Sequence, residues 1–388
     1  MPENDPQMKQ WLTELLDAAD TGPWRKRAQQ ALKTSDWKAL ERIVEEALAA
    51  RQPPSALLRL AREIPWDSPI RLKLFRRIRQ AYPGDFWANH ELACYLHYSQ
   101  SPYLEEALRY YTAALALRPR NPGTCVNLGN ALRNSGDLDG AIAAYREALD
   151  GHRDYAMARV QLSLLLEAKG DASGAIAELR EALRLTNCAD GHLRLGNALF
   201  RSGRRDEAIA SYKTAIALDP KRGMAHYNLG TALLEKKECL QEAIASFQNA
   251  LACYRSGGSP NSVAWFLATC PYVPLRDPVE GLKQAKKAVE LAPGTADCWN
   301  TLGVAQYRAG NWKEAIAALE KVMALRGGDS FDWFFLAMAH WQLGEKKKAR
   351  QYFDRAVEWM DKNMPTRKEL GRFRAEAAEL INVAPKKN

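Results

Sequence analysis

Along most of this chain apolar residues return every three or four positions, in runs of roughly a dozen residues parted by short polar turns. That spacing predicts amphipathic helices, for example Trp24 to Leu32 and Trp37 to Leu48, with Thr34-Ser35-Asp36 between them as a natural capping cluster. From Asp85 onward the helices come in pairs. The first helix of a pair carries Leu-Gly, as in Leu128-Gly129, Leu195-Gly196, Leu229-Gly230 and Leu302-Gly303. The second carries Ala, an aromatic residue four positions on, and Ala again, as in Ala141/Tyr145/Ala148, Ala208/Tyr212/Ala215, Ala243/Phe247/Ala250 and Ala349/Phe353/Ala356. The markers recur about every 34 residues, the length of one helix-turn-helix unit.

Each marker has a packing reason. Gly or Ala after the first leucine (Ala93 and Ala337 in two units) suits a place where two helices meet too closely for a larger side chain. The bulky residue of the second helix is expected to fill the space between adjacent units. Gly136, Gly170, Gly203, Gly310 and Gly344 fall at the inter-helix turn, where a left-handed backbone strains glycine least. Pro119, Pro220 and Pro293 stop second helices. The expected organisation is an N-terminal helical segment over 1–53, a degenerate repeat over 54–84 and regular repeats over 85–256. An irregular repeat with a Pro-rich insertion follows over 257–295, then regular repeats over 296–363 and a capping helix with a basic tail over 364–388. Within the irregular repeat, Val263 to Thr269 and Val279 to Leu291 are expected as helices; the last helix is expected from Thr366 to Ile381.

Taken together, Asp85 to Asn363 resembles tetratricopeptide-repeat proteins unit by unit. The resemblance implies an all-α fold, a right-handed α-α superhelix, whose concave groove binds partners. A narrower likeness rests on Asp85-Phe86-Trp87-Ala88-Asn89, Tyr110 to Pro119, Trp265-Phe266-Leu267-Ala268-Thr269-Cys270-Pro271, Asp332 to Trp341 and Phe373-Arg374-Ala375-Glu376-Ala377. These phrases look like the repeat-bearing C-terminal region of bacterial eukaryotic-type serine/threonine kinases, which implies a scaffold or docking role. No Gly-x-Gly-x-x-Gly loop, Val-Ala-Ile-Lys, His-Arg-Asp or Asp-Phe-Gly is present, so the likeness lends no catalytic residue.

The resemblance also implies where ligands sit: the sixth and ninth positions of each first helix face the groove. Here these are Asn127 and Asn130, Gln161, Arg194 and Asn197, and Asn228 and Thr231. An amide donates and accepts at once, which suits the backbone of an extended peptide, and the row is similar to the asparagine ladder of the O-linked N-acetylglucosamine transferase repeats. Arg133, Arg194 and Arg201 lie close by and favour acidic segments. The carboxylate clamp of heat-shock co-chaperones is not matched, because Val126 and Asp190 stand where it needs lysines. A second candidate is an aromatic patch of Phe331, Phe334, Phe335, Met338 and Trp341, which the last helix, with Phe373, Leu380 and Ile381, is expected to cover at least in part.

Composition narrows the partners. The net charge of +9 permits an acidic partner, but basic and acidic residues are interleaved and no nucleic-acid-reading module is visible, so no nucleic acid is expected. Seven scattered cysteines without a Cys-x-x-Cys pair argue for a reducing compartment and against a zinc site. His90 and His97 stand too far apart along a helix to share a metal ion. The opening Met1-Pro2-Glu3-Asn4-Asp5 is polar, and no membrane-spanning run is found. The expectation is a cytoplasmic, non-enzymatic protein with no cofactor, metal or membrane, whose partner is a protein or extended peptide.

Overall fold

The computed structural model describes residues 23–99, 103–365 and 367–381; the expected segment 1–53 is thus described only from residue 23. Among the described residues there are helices and no strands. Two compact units divide the chain, residues 1–171 and 172–388.

In the first unit the helices are α1 (Pro23–Lys33), α2 (Trp37–Ala49), α3 (Pro54–Glu63), α4 (Pro69–Ala81), α5 (Phe86–Tyr98), α6 (Leu104–Leu117), α7 (Pro122–Asn134), α8 (Leu138–Gly151) and α9 (Ala156–Ala168). The second unit holds α10 (Ala172–Leu185), α11 (Ala189–Arg201), α12 (Arg205–Leu218), α13 (Gly223–Leu234), α14 (Leu240–Gly257) and α15 (Pro260–Thr269). It continues with α16 (Pro278–Leu291), α17 (Ala296–Arg308), α18 (Trp312–Arg326), α19 (Ser330–Gln342), α20 (Lys346–Asn363) and α21 (Lys368–Ile381). The division between units falls between α9 and α10.

Helix starts follow their capping chemistry. Asp36 accepts a hydrogen bond from Ala39 N at 3.0 Å to open α2, and Asp137 does the same for Gly140 N at 2.8 Å to open α8. The turn of a hairpin is built on glycine in the left-handed region: Gly136 and Gly203 have φ of 88° and 81°. In the expected irregular repeat, α15 starts three residues before Val263. Ser259 caps it by accepting from Ser262 N at 3.3 Å, and Pro260 occupies the first turn, where no backbone donor is missed.

The Leu-Gly marker shows its cause directly. A Cβ added to Gly129 would lie 2.5 Å from the Tyr145 ring, and one added to Gly196 would lie 2.5 Å from that of Tyr212. Tyr145 and Tyr212 are wholly buried. The bulky residue therefore packs against the glycine of its own repeat, and it also meets the next repeat as expected: the Phe247 and Phe266 ring centres are 6.4 Å apart.

Candidate peptide-binding faces

In each unit the first helices of successive repeats lie side by side, and their side chains bond across from one to the next. The residues expected to read a peptide lie on these helices and are all half-buried. They form two rows, because Asn127, Asn130 and Gln161 belong to the first unit and Arg194, Asn197, Asn228 and Thr231 to the second.

In the first unit, Tyr145 donates its hydroxyl to Asn130 Oδ1 at 2.8 Å. Asn127 donates Nδ2 to Cys94 Sγ at 3.5 Å, and Arg133 donates to Gln161 Oε1 at 2.9 Å. Burial pushes the Cys94 thiol up to about 11, so it stays protonated. His90 lies 3.0 Å from Thr124 Oγ1, and His97 lies 3.0 Å from Asn134 Nδ2. Burial lowers the pKa of both rings, which favours neutral imidazoles engaged in these contacts. Among the described residues no three His, Cys, Asp or Glu side chains come together as a metal site.

The second unit repeats the arrangement. Tyr212 donates to Asn197 Oδ1 at 2.9 Å, and Asn228 donates Nδ2 to the same oxygen at 2.7 Å. With Oδ1 held twice, the Asn197 amide has a fixed direction, and its Nδ2 and the Asn228 Oδ1 are the amide groups not used in these two bonds. Arg194 is tied to Asp190 at 2.6 Å, and Arg222 reaches the other oxygen of that carboxylate at 2.9 Å. Partial burial alone would raise the Asp190 pKa, but the two guanidiniums outweigh it and hold the carboxyl below its ordinary value. Thr231 returns its hydroxyl to Tyr227 O at 3.0 Å within its own helix. Its proton is therefore spent on the backbone, and it can offer a partner only an acceptor.

Sequence reasoning placed the asparagines but missed their anchors. The signal was present: Gly129-Asn130 and Gly196-Asn197 each precede a tyrosine, Tyr145 and Tyr212, by fifteen residues from the Asn. Where Gly is followed by Thr231 or Val304, the equivalent residue is Phe247 or Leu319 and has no hydroxyl.

The aromatic patch is corrected by burial. Phe334, Phe335 and Met338 have no exposed surface, while Phe331 and Trp341 are half-buried. Phe373 of α21 lies on Phe335, with ring centres 5.0 Å apart, and next to Phe331 at 6.3 Å and Trp265 at 6.2 Å. Three of the five residues are thus core and offer no surface to a partner.

Sequence models of the tetratricopeptide repeat match residues 126–189, 193–258, 296–329 and 330–363, just over half of the chain. The chain belongs to the tetratricopeptide-repeat proteins. Among curated proteins it is similar to the Protein CTR9 homolog of Arabidopsis thaliana, at 24% identity over 277 residues. That match takes in 68% of this chain and 25% of the relative, so the chain spans about a quarter of the length of the curated relative it matches. Among solved structures, a MamA protein is 24% identical with a TM-score of 0.41, covering 44% of this chain and 92% of that one. MamA from Desulfovibrio magneticus RS-1 (residues 41 to the end) is 23% identical with a TM-score of 0.38, covering 48% and 97%. YrrB, a TPR protein with an unusual peptide-binding site, is 19% identical with a TM-score of 0.34, covering 57% and 95%. None of these likenesses points to a kinase-associated region. No helix among the described residues is long and apolar enough to cross a membrane.

Proposed function

We propose that this tetratricopeptide-repeat chain is a non-enzymatic scaffold that holds extended segments of partner proteins on the first-helix faces of its repeats. One observation carries the reading: Tyr212 and Asn228 both bond Asn197 Oδ1, which leaves the Asn197 amide donor and the Asn228 amide acceptor for a partner. That is the complement of one residue of an extended chain, whose own N–H and C=O point to the same side. The pinned Asn130 supports the same use of the first unit. Because the two asparagines are pre-oriented, little side-chain entropy is lost when a segment docks. Charge selects less at Arg194, already paired with Asp190, than at Arg133, which the neutral Gln161 orients without cancelling its charge. The cysteines are all free thiols, which accords with a cytoplasmic setting.

The kinase-tail resemblance gains a different explanation. Its phrases from Asp332 to Trp341 and from Phe373 to Ala377 supply the packed aromatic core under α21. They describe how that end of the array is closed, and nothing in them bears on a catalytic partner.

The test uses segments selected from a random peptide library on the purified chain. Asn228→Ala removes the free acceptor without uncovering a buried hydroxyl. It should weaken a selected segment by about 0.5–1.5 kcal/mol in titration calorimetry, with the melting temperature nearly unchanged. Full affinity in the folded variant would assign binding to another surface.

A further inference from the structure

The helix α21 does more than follow α20. It runs across the first-helix face of the second unit and bonds with residues far back in the chain. Lys368 pairs with Glu235 at 2.6 Å and lies 3.9 Å from the Phe200 ring centre. Trp265 donates Nε1 to Glu369 at 3.2 Å, and Arg372 donates to Thr269 O at 3.2 Å. Arg308 pairs with Glu376, with Nη2 to Oε2 at 2.8 Å. Leu370, Phe373, Ala377 and Ile381 form the buried stripe, at the three- and four-residue spacing of a helix laid into a groove. From its own composition, then, α21 has the form of a ligand: an amphipathic helix with an apolar stripe and two carboxylates aimed at the repeats.

The seat fits a helix of this kind but not α21 itself in every respect. Arg276 and Arg308 already stand on the repeat side, and α21 adds a third guanidinium, Arg372, against two carboxylates, Glu376 and, near Tyr227, Glu369. Burial lowers the Arg276 pKa first, and Arg308 and Arg372 lower it further, so the cluster holds more positive charge than it neutralises. Burial alone would raise the Glu376 pKa, yet Arg308, with Arg276 and Arg372, holds it low. Nearby, the Tyr227 hydroxyl is shut off from solvent without a hydrogen-bond partner, in the field of Glu369 and Arg372. A second helix with a carboxylate in place of Arg372 would relieve the excess charge.

We infer that the first-helix face of the second unit is a receptor for an amphipathic helix bearing an apolar stripe and carboxylates, and that α21 is its resident occupant, displaced when a partner helix of that pattern binds. This site lies on the same face as the amide pair of Asn197 and Asn228 but uses other side chains, Phe200, Glu235, Trp265 and Arg308, so either can fail without the other.

The experiment uses the full chain and two synthetic peptides of residues 367–381, one native in sequence and one carrying R372E. Hydrogen–deuterium exchange of the free chain should show α21 opening before α17 to α20. The R372E peptide should bind and strip protection from α21 alone, roughly tenfold more tightly than the native peptide. In the full-length variant E376R, which sets a fourth guanidinium in the cluster, peptide affinity should rise by about tenfold or more as the resident helix is released. The charge exchange R308E/E376R should restore α21 and lower peptide binding again, and it decides the matter if E376R alone misfolds. Exchange of α21 only together with α17 to α20, or no binding of either peptide to the wild-type chain, overturns the inference and makes α21 a permanent cap.

Discussion

The repeats of α7–α8 and α11–α12 and the repeat of α19–α20 follow one plan and use the same pair of positions to opposite ends. In the first two the pair is Asn with Tyr, Asn130 with Tyr145 and Asn197 with Tyr212, bonded through the hydroxyl. In the last it is Met338 with Phe353, both in the apolar core. The small residue before it, Gly129, Gly196 or Ala337, is kept in all three. The difference shows that packing of the hairpin and character of the inner face are set by neighbouring but separate residues. A polar pair leaves a half-buried amide on the face. An apolar pair leaves it in need of cover, and α21 supplies the cover.

The strongest way to break this comparison is Phe373→Ala. Its ring is buried between Phe331, Phe335 and Trp265, and its loss should cost about 3–5 kcal/mol in chemical unfolding of the second unit. Exchange protection of α7 and α8 should not change; a loss there would mean that the covered repeat and the pinned repeats are not independent.

Gly196→Leu attacks the opposite side. The new side chain would start 2.5 Å from the Tyr212 ring, so overpacking should cost about 1–3 kcal/mol and break the bond to Asn197. An unchanged melting curve would show that the ring can move aside and that the glycine is not what seats it.

Acidity separates the two kinds of repeat again. Burial, with Asp329 beside it, raises the pKa of Asp332 in the capping box of α19 from 3.8 to about 6. The folded state binds this proton more tightly than the unfolded chain does. Its stabilising effect is therefore complete below pH of about 4 and is lost as pH rises through about 6, a change of the order of 3 kcal/mol. Comparing the pH dependence of unfolding in the wild type and Asp332→Asn isolates this contribution. Equal slopes would remove Asp332 from it.

Asn197→Ala gives the smallest effect and sharpens the comparison most. It strands the buried Tyr212 hydroxyl and should cost about 1–2 kcal/mol, most of which Tyr212→Phe in the same chain should restore. Additive costs in that double-mutant cycle would show that the bond does not stabilise the repeat.

Much of this fold was legible because its contacts are local. Period, turn glycine and capping aspartate all act within one hairpin, so α2 and α16 lie within a residue or two of where apolar spacing put them. Pro260 misled because proline reads as a breaker, although in a first turn it is harmless. The candidate site was legible only halfway. Spacing alone could put Asn130 and Asn197 on a face, but not say that their carbonyl oxygens were taken, because the takers come from the following helix. Thr231 fits the pattern only as an acceptor, for a local reason, its bond to the carbonyl one turn back. The reach of α21 left no periodic trace at all. Glu369 and Trp265 are 104 residues apart, and only the folded array brings them together.

That reach has a kinetic side. A stack of hairpins is ordinarily a line of neighbours, each able to fray from an end without consulting the rest. The pairing of Lys368 with Glu235 joins residues 133 positions apart and turns part of the line into a ring. While the ring is closed, the hairpins between α13 and α20 should unfold as one cooperative block. Refolding should wait on a single late closure, whose entropic cost grows only slowly with the length of the loop. Once α21 leaves, the same hairpins become a line again and can be lost one at a time.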